Sequence, residues 1–286
     1  MNHCKTSMQS VFVVSVVGLI CLAKPVSARP LPGAGKDDPV TVYREIINKH
    51  MSSDTTDLNS ALIRLDELAK RDPSNGMLHY VRAAVYARKN NWSAATREVK
   101  AGNSAGRYQE YQMTGPLELN LYPGFARLRP FVNASAKIAP SLTFTEGIAL
   151  LSEIRTMGIR ICRTQPGEST CPLVGVTFRK IAEKALADLY QKQGKTVDAE
   201  RMQKYQLADS AWRKRAGELI SAKSPFDFEK NWQALTRKHG ISQSDFTQWE
   251  QRPLTKVEMT RYAAFKKDAN AQEHALTEQL LKSLPK

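Results

Sequence analysis

Hydrophobic residues recur every three or four positions through most of the chain, the spacing that places them on one face of an α-helix. The segment 58–71 shows this pattern clearly, and it ends at Asp72-Pro73, because the residue before a proline disfavours helical geometry. Its apolar positions are Leu58, Ala61, Leu62, Leu65 and Leu68. Similar spacing from Pro39 onward predicts an all-α fold.

Asparagine, glycine and proline residues divide the helical pattern into shorter elements. Asn90-Asn91 separates a helix over 76–89 from one that begins at Trp92, and Gly158 is expected to end the helix that begins near 142. The segment 105–142 contains four prolines and is predicted to be an insertion with one short helix near 125–136. It is either a packed connector or a lid over a groove, and the gain from burying its aromatic rings favours the connector.

The last region, 224–286, is predicted to contain two short helices and one long helix, which are separated by Gly240 and Pro253. One face of the long helix is apolar, which indicates packing either on the rest of the chain or on a second chain. The residues of this face are Tyr262, Phe265, Ala269, Leu276 and Leu280. Packing within the chain is the simpler expectation.

A repeat with a period of 34 residues is present in the first half of the chain. Leu58, Ala61 and Leu65 recur as the apolar or small residues at 92, 95 and 99. This period is typical of stacked helix-turn-helix hairpins, because one hairpin alone cannot bury its apolar face. The chain here resembles the tetratricopeptide repeat family. The best unit runs from Gly76 to Asn103, and a further match includes Ala187, Tyr190, Gly194 and Ala199.

The resemblance implies tandem tetratricopeptide-like hairpins in a short α-solenoid over 39–223, followed by the C-terminal helical region. In such arrays the first helix of each hairpin lines a concave binding face. Carried over to this sequence, that face includes Tyr80 and Arg88 in one unit and Lys184, Asp188 and Lys192 in the other. Their cations would form a basic groove for an acidic peptide or an anionic polymer.

The first 28 residues have the features of a secretory signal peptide. Lys5 precedes an apolar run from Val11 to Ala23, and Val26-Ser27-Ala28 supplies small residues before a cleavage point. The run is shorter than the roughly 18 apolar residues of a membrane-spanning helix. The sequence therefore predicts an exported protein, periplasmic or secreted, with a linker at 29–38 and no transmembrane span after cleavage.

Cleavage would leave two cysteines, Cys162 and Cys171, in an oxidising compartment, where such a pair is most simply a disulfide. A metal site is a weaker alternative, because the residues between them include no histidine and only Glu168 as a carboxylate. A redox pair is also weaker, since redox motifs have closer spacing. We therefore expect a structural disulfide.

The composition adds a large positive charge: 42 Lys and Arg residues against 28 Asp and Glu give a formal net charge of +14. Loss of residues 1–28 would remove only Lys5 and Lys24 and leave +12. A surplus of this size attracts acidic proteins, peptides and anionic polymers of the cell envelope. Nucleic acid is disfavoured as a partner, because no basic cluster is interleaved with aromatic residues that could stack on bases.

The search for catalytic and cofactor motifs gives no complete match. Gln193 to Thr196 resembles the end of a phosphate-binding loop, but Leu189 stands where that loop needs its first glycine. No two histidines have the spacing of a metal site, so neither a metal nor a cofactor is predicted. A binding or scaffolding protein is therefore favoured. The alternative is a cell-envelope enzyme, for example a carbohydrate-active one, with Trp232, Phe246 and Trp249 lining its cleft.

Overall fold

A computed structural model of the chain describes residues 39–47, 57–108, 123–163, 170–223, 231–251 and 254–285. Throughout these ranges the backbone forms α-helices and one 3-10 turn at Ala139–Ser141, with no β-strand. The helices are α1 (Pro39–Glu45), α2 (Leu58–Arg71), α3 (Gly76–Arg88), α4 (Trp92–Ser104), α5 (Pro123–Ile138), α6 (Phe144–Arg163), α7 (Thr170–Lys192), α8 (Thr196–Lys223), α9 (Asn231–Lys238), α10 (Gln243–Gln251) and α11 (Lys256–Lys282). The predicted all-α fold is confirmed, while the predicted signal peptide and linker lie outside the described residues.

Polar side chains cap the first turns of α2 and α4. Asp57 accepts a hydrogen bond from the Ser60 amide at the start of α2, with an N···O distance of 3.2 Å. Asn91 accepts from the Ala94 amide at 3.1 Å at the start of α4. Both bonds satisfy amides that have no partner within the helix. Asn90, just before this second cap, has a φ of 56° and reverses the chain between α3 and α4.

The α3–α4 hairpin is held by a close approach of its two helices. A Cβ atom at Gly102 would lie 2.4 Å from the ring carbon Cε1 of Tyr80, so only glycine lets α4 rest on this ring. The chain after α4 then returns to the start of α3, where the Gly76 amide donates to the Arg107 carbonyl at 2.8 Å. The predicted repeat unit therefore folds as one helical hairpin.

A second hairpin joins α7 to α8 at the turn predicted around Gly194. Gly194 has a φ of 70°, which glycine adopts without steric cost. The amide of Lys195 donates to the carbonyl of Tyr190 at 2.9 Å and closes the turn. Helix α6 lies between the two hairpins, because it packs on α4 and on α7. Both hairpins α3–α4 and α7–α8 thus pack on α6.

The predicted end of α6 at Gly158 is wrong, because α6 continues to Arg163. Gly158 is a packing residue that faces Gly175 of α7. A Cβ atom at Gly158 would lie 2.7 Å from the Gly175 carbonyl oxygen, and one at Gly175 would lie 2.4 Å from the Gly158 carbonyl oxygen. The two glycines let the helix backbones approach more closely than any side chain would allow.

Helix α5 is the helix predicted within the proline-rich insertion. Leu128, Phe131 and Val132 are buried, and α5 packs on α3, α6 and α7. The structure thus supports the packed connector for this part of the insertion, and residues 109–122 lie outside the described ranges. As a consequence, α5 lies against both of the helices that were expected to line a concave face.

The C-terminal helices form a small core of their own and also join the main one. Trp249, Phe265 and Leu235 are buried together between α9, α10 and α11. Further along α11, Leu276 and Leu280 pack against Trp212 of α8. The apolar face predicted for the long helix therefore packs within the chain. None of the helices in the described ranges is both long and apolar enough to cross a membrane.

Candidate anion-binding surface

Tyr80, predicted to face a ligand, is instead a core residue. Its side chain is fully buried, and its hydroxyl donates to Oδ1 of Asn103 at 2.8 Å. Asn103 in turn donates to the backbone carbonyl of Glu153 at 2.9 Å, which connects α3 and α4 to α6. Burial raises the pKa of Tyr80 above its usual range, so the hydroxyl keeps its proton. The resemblance to tetratricopeptide repeats placed it on an open face, because the first helix of each hairpin in such arrays lines the concave face.

The other four predicted residues are exposed. Lys184 and Asp188 lie one turn apart on the exposed side of α7, and Lys192 is at the end of the same helix. Arg88 is in the last turn of α3. Helix α5 packs on both α3 and α7, yet these four residues stay exposed.

A different set of cations comes from α7 and from two helices that pack on it. Lys180 and Lys184 come from α7 itself, Arg129 from the neighbouring α5 and Arg213 from the neighbouring α8. Lys180 and Arg213 are half-buried, and the other two are exposed. We call these four residues the basic surface. Within the described ranges, none of them forms an ion pair or a side-chain hydrogen bond.

The charged form of Arg213 is disfavoured by its surroundings. Burial lowers the pKa of Arg213, and the positive charge of Arg129 lowers it further. The lowered pKa means that the surroundings of Arg213 disfavour its charged guanidinium. An anion bound between the two arginines would relieve that repulsion.

Beneath the basic surface lies a buried ionic cluster of four residues from α6, α7 and α8. Arg179 donates from Nη2 to Oδ1 of Asp209, and both side chains are almost fully buried. Glu183 is fully buried and accepts from Nε of Arg155 at 2.9 Å, with Nε of Arg179 at 3.8 Å. The guanidinium of Arg155 also lies 4.6 Å above the ring of Tyr205. Two cations thus match two carboxylates, so the cluster supplies no surplus negative charge to the surface.

Glu183 titrates within this cluster near neutral pH. Burial and the charge of Asp209 raise the pKa of Glu183 to about 7, although Arg155 and Arg179 oppose the shift. A carboxyl whose pKa is raised on folding is more easily ionised in the unfolded chain. Its contribution therefore lowers the free energy of unfolding as the pH rises from the usual glutamate range to about 7.

Cys162 and Cys171 are both buried where α6 ends and α7 begins, but they are not bonded to each other. The Sγ atom of Cys162 instead donates to the carbonyl oxygen of Pro172 at 3.5 Å. The predicted disulfide is thus absent from the structure. Apolar burial favours the neutral thiol, and it raises the pKa of Cys162 to about 12.

We expect the two thiols to be unreactive in the folded protein. Iodoacetamide at pH 8 should leave Cys162 and Cys171 unmodified under native conditions, because burial excludes the reagent and suppresses the thiolate. After unfolding without a reductant, peptide mass spectrometry should find both alkylated. If the unfolded protein is alkylated at these positions only after a reductant is added, the two cysteines form a disulfide and their assignment as thiols is wrong.

The aromatic residues that suggested a sugar-binding cleft form the C-terminal core instead. The rings of Trp232 and Phe246 are 5.2 Å apart, and those of Phe246 and Trp249 are 5.4 Å apart, with Trp249 buried. A depression on the nearby surface is lined by Asn231, Ala234, Leu235, Lys238 and Gln272, none of which is a carboxylate. In the described part of the chain, no three His, Cys, Asp or Glu side chains are close enough to hold a metal ion.

Sequence reasoning identified Lys184 but missed the other three cations of the basic surface. Lys180 could have been found, because it lies one turn before Lys184 on the same helix. Arg129 and Arg213 carry no such indication, since they join the surface only through the packing of α5 and α8 on α7.

The repeat spacing is the only feature that points to a family. No family model matches the chain, and no curated protein or solved structure matches it either. The function of the chain must therefore be inferred from the residues and geometry of the candidate surface.

Proposed function

We propose that this protein is an exported binding protein that uses a surface of its helical hairpins to hold an anionic ligand. The hairpins are tetratricopeptide-like, and the ligand is an acidic peptide or an anionic polymer of the cell envelope. One observation carries the proposal: four cations come from α7 and from two helices that pack on it, and none of them forms an ion pair within the described residues.

Some arginines elsewhere in the described residues do have acidic partners. Arg82 pairs with Glu98 at 3.1 Å, and Arg201 pairs with Asp198 at 2.5 Å. An acidic neighbour of this kind adds up to about 1 kcal/mol to the stability of the folded protein. A group of cations without such neighbours can interact with an anionic ligand, and the net charge of +12 that remains without residues 1–28 adds long-range attraction.

The proposed surface replaces the groove expected from the repeat resemblance. Lys184 remains a proposed binding residue, whereas Tyr80 is buried in the core. Export rests on the signal peptide features of residues 1–28. Export would bring the protein into a compartment that contains anionic envelope polymers and secreted peptides.

Neutralising the basic surface should weaken the binding of a polyanion. We expect the variant with glutamine at all four positions to bind poly-L-glutamate at least about tenfold more weakly, a loss of about 1.4 kcal/mol. The measurement is isothermal titration calorimetry at constant ionic strength, because surface electrostatics depend strongly on salt.

The matched control removes four exposed cations that lie elsewhere, so that the change in net charge is identical. Its substitutions are Arg97→Gln, Lys100→Gln, Arg215→Gln and Lys267→Gln. The control should keep most of the affinity of the unmodified protein. Equal losses in both variants would show that total charge, rather than the basic surface, determines binding, and the proposed site would be wrong.

A further inference from the structure

We propose that the buried ionic cluster is a pH-sensitive anchor for the segment that follows α11, and that ionisation of Glu183 weakens the contact between Arg179 and this segment. The proposal concerns the cluster and not the basic surface, so it does not depend on the proposed function. It rests on the contacts of one guanidinium, which reaches groups of α7, α8 and the segment after α11.

The guanidinium of Arg179 meets a different group with each of its three nitrogen atoms. Nη2 donates to Oδ1 of Asp209, and Nη1 donates to the carbonyl oxygen of Pro285 at 3.5 Å, near the upper limit for a hydrogen bond. Nε lies 3.8 Å from Oε1 of Glu183, one turn further along α7. Within the described residues Nε makes no hydrogen bond, so its proton remains available to Glu183.

The carboxyl of Glu183 is fully buried among charges of both signs. Arg155 of α6 donates from Nε to its Oε1 at 2.9 Å, Arg179 of α7 lies near the same oxygen, and Asp209 of α8 adds a second negative charge. Helix α5 also packs on α7, but its described buried side chains are uncharged. The chain after α11 reaches the cluster through the carbonyl of Pro285, which is a neutral acceptor.

Ionisation of Glu183 changes the forces that act on Arg179. Burial and the charge of Asp209 raise the pKa of Glu183 to about 7, so the carboxyl is neutral below this pH and charged above it. A neutral carboxyl attracts the guanidinium weakly, which leaves Arg179 with Asp209 and Pro285. A carboxylate attracts it strongly, because charges interact more strongly in a poorly solvated interior.

The contact with Pro285 is the one that should weaken when Glu183 is charged. Closing the gap between Nε of Arg179 and Oε1 of Glu183 shifts the guanidinium along α7. The bond to Asp209 joins two opposite charges and resists this shift, whereas the long bond to the Pro285 carbonyl has a neutral acceptor and is weaker. The segment after α11 therefore loses a contact as the pH rises.

The change is confined to the segment that follows α11. Leu276 and Leu280 are buried with Trp212 of α8, and this apolar contact has no group that titrates. Trp212 also contacts the segment, since its Nε1 donates to Oγ of Ser283 at 2.9 Å. The indole proton of Trp212 therefore reports whether the segment is held in place.

Hydrogen exchange of the Trp212 indole proton, followed by nuclear magnetic resonance on the full chain, tests the inference. Its protection factor, corrected for the intrinsic pH dependence of exchange, should fall by about threefold or more between about pH 6 and about pH 8, because a weakened contact opens more often. The variant Glu183→Gln resembles the neutral acid and cannot ionise, so its protection factor should be the same at both pH values. Glu218→Gln, an exposed position on α8, is the matched control and should behave as the unmodified protein does.

Arg155→Gln provides an independent test. The charge of Arg155 lowers the pKa of Glu183, so its removal should move the fall in protection to a higher pH. The indole proton of Trp249, which is buried in the C-terminal core, is the internal control and should keep its protection.

Three results would overturn the proposal. The first is an unchanged protection factor of Trp212 between the two pH values in the unmodified protein. The second is a fall that persists in Glu183→Gln, which would show that another group titrates. The third is an equal loss at Trp212 and Trp249, which would mean that the whole protein is destabilised and that the segment after α11 is not released selectively.

Discussion

Asp209→Ala should lower the free energy of unfolding by about 3 to 5 kcal/mol. The substitution leaves the guanidinium of Arg179 in the core without its main partner, where only 4% of that side chain is exposed. An unpaired buried charge costs far more than the lost ion pair itself contributes. Urea denaturation, monitored by circular dichroism at constant pH, measures the difference.

The matched control is an ion pair at the surface of the same helix. Asp198→Ala removes the partner of Arg201, whose side chain is 55% exposed, and it should change the free energy of unfolding by less than about 1 kcal/mol. A small effect of both substitutions would contradict the burial of the ionic cluster. The double variant with Arg179→Met and Asp209→Leu should recover much of the lost stability, because it removes both charges together.

Gly175→Ala should destabilise the protein by about 3 kcal/mol, although it adds a single methyl group. The new Cβ atom would lie 2.4 Å from the Gly158 carbonyl oxygen and 2.7 Å from the Cys162 amide nitrogen. Both are backbone atoms of α6, so relief requires that one whole helix move away from the other. Thermal and urea denaturation would report the change.

Gly106→Ala is the control for this substitution. The nearest atom to a Cβ at Gly106 is the Cβ of Ser74 at 3.8 Å, which is an ordinary contact. The control should be neutral or stabilising by up to about 1 kcal/mol, since alanine restricts the unfolded chain. If the two alanines have equal effects, the close crossing of α6 and α7 is not present in solution.

The helical part of the fold could be predicted because each helix buries one face, and that face has a regular spacing in the sequence. The turns at Asn90 and Gly194 were also predictable, since asparagine and glycine tolerate the positive φ that these turns require. Gly158 misled the prediction for a related reason. A glycine can end a helix or let another helix approach closely, and only the structure of the partner helix decides between the two.

One residue of the ionic cluster, Asp209, could have been recognised from its position in the sequence. Asp209 lies seven residues after Met202 and seven before Ala216, so it occupies a core position of α8. Its partner Arg179 is 30 residues away in sequence, and no local pattern connects the two. The basic surface was harder to predict, because it depends on the side of α7 against which α5 packs.

Helix α11 connects the aromatic core of the C-terminal helices to Trp212 of α8. Its 27 residues correspond to a length of about 40 Å. The last turns of the helix are the firmly held part: Leu280 is fully buried, and Ser283 accepts a hydrogen bond from Nε1 of Trp212 at 2.9 Å. Terminal helices usually fray from their final residues inward. Here local opening is expected to begin among the short helices α9 and α10 and to spread towards the chain end, the reverse of the usual order.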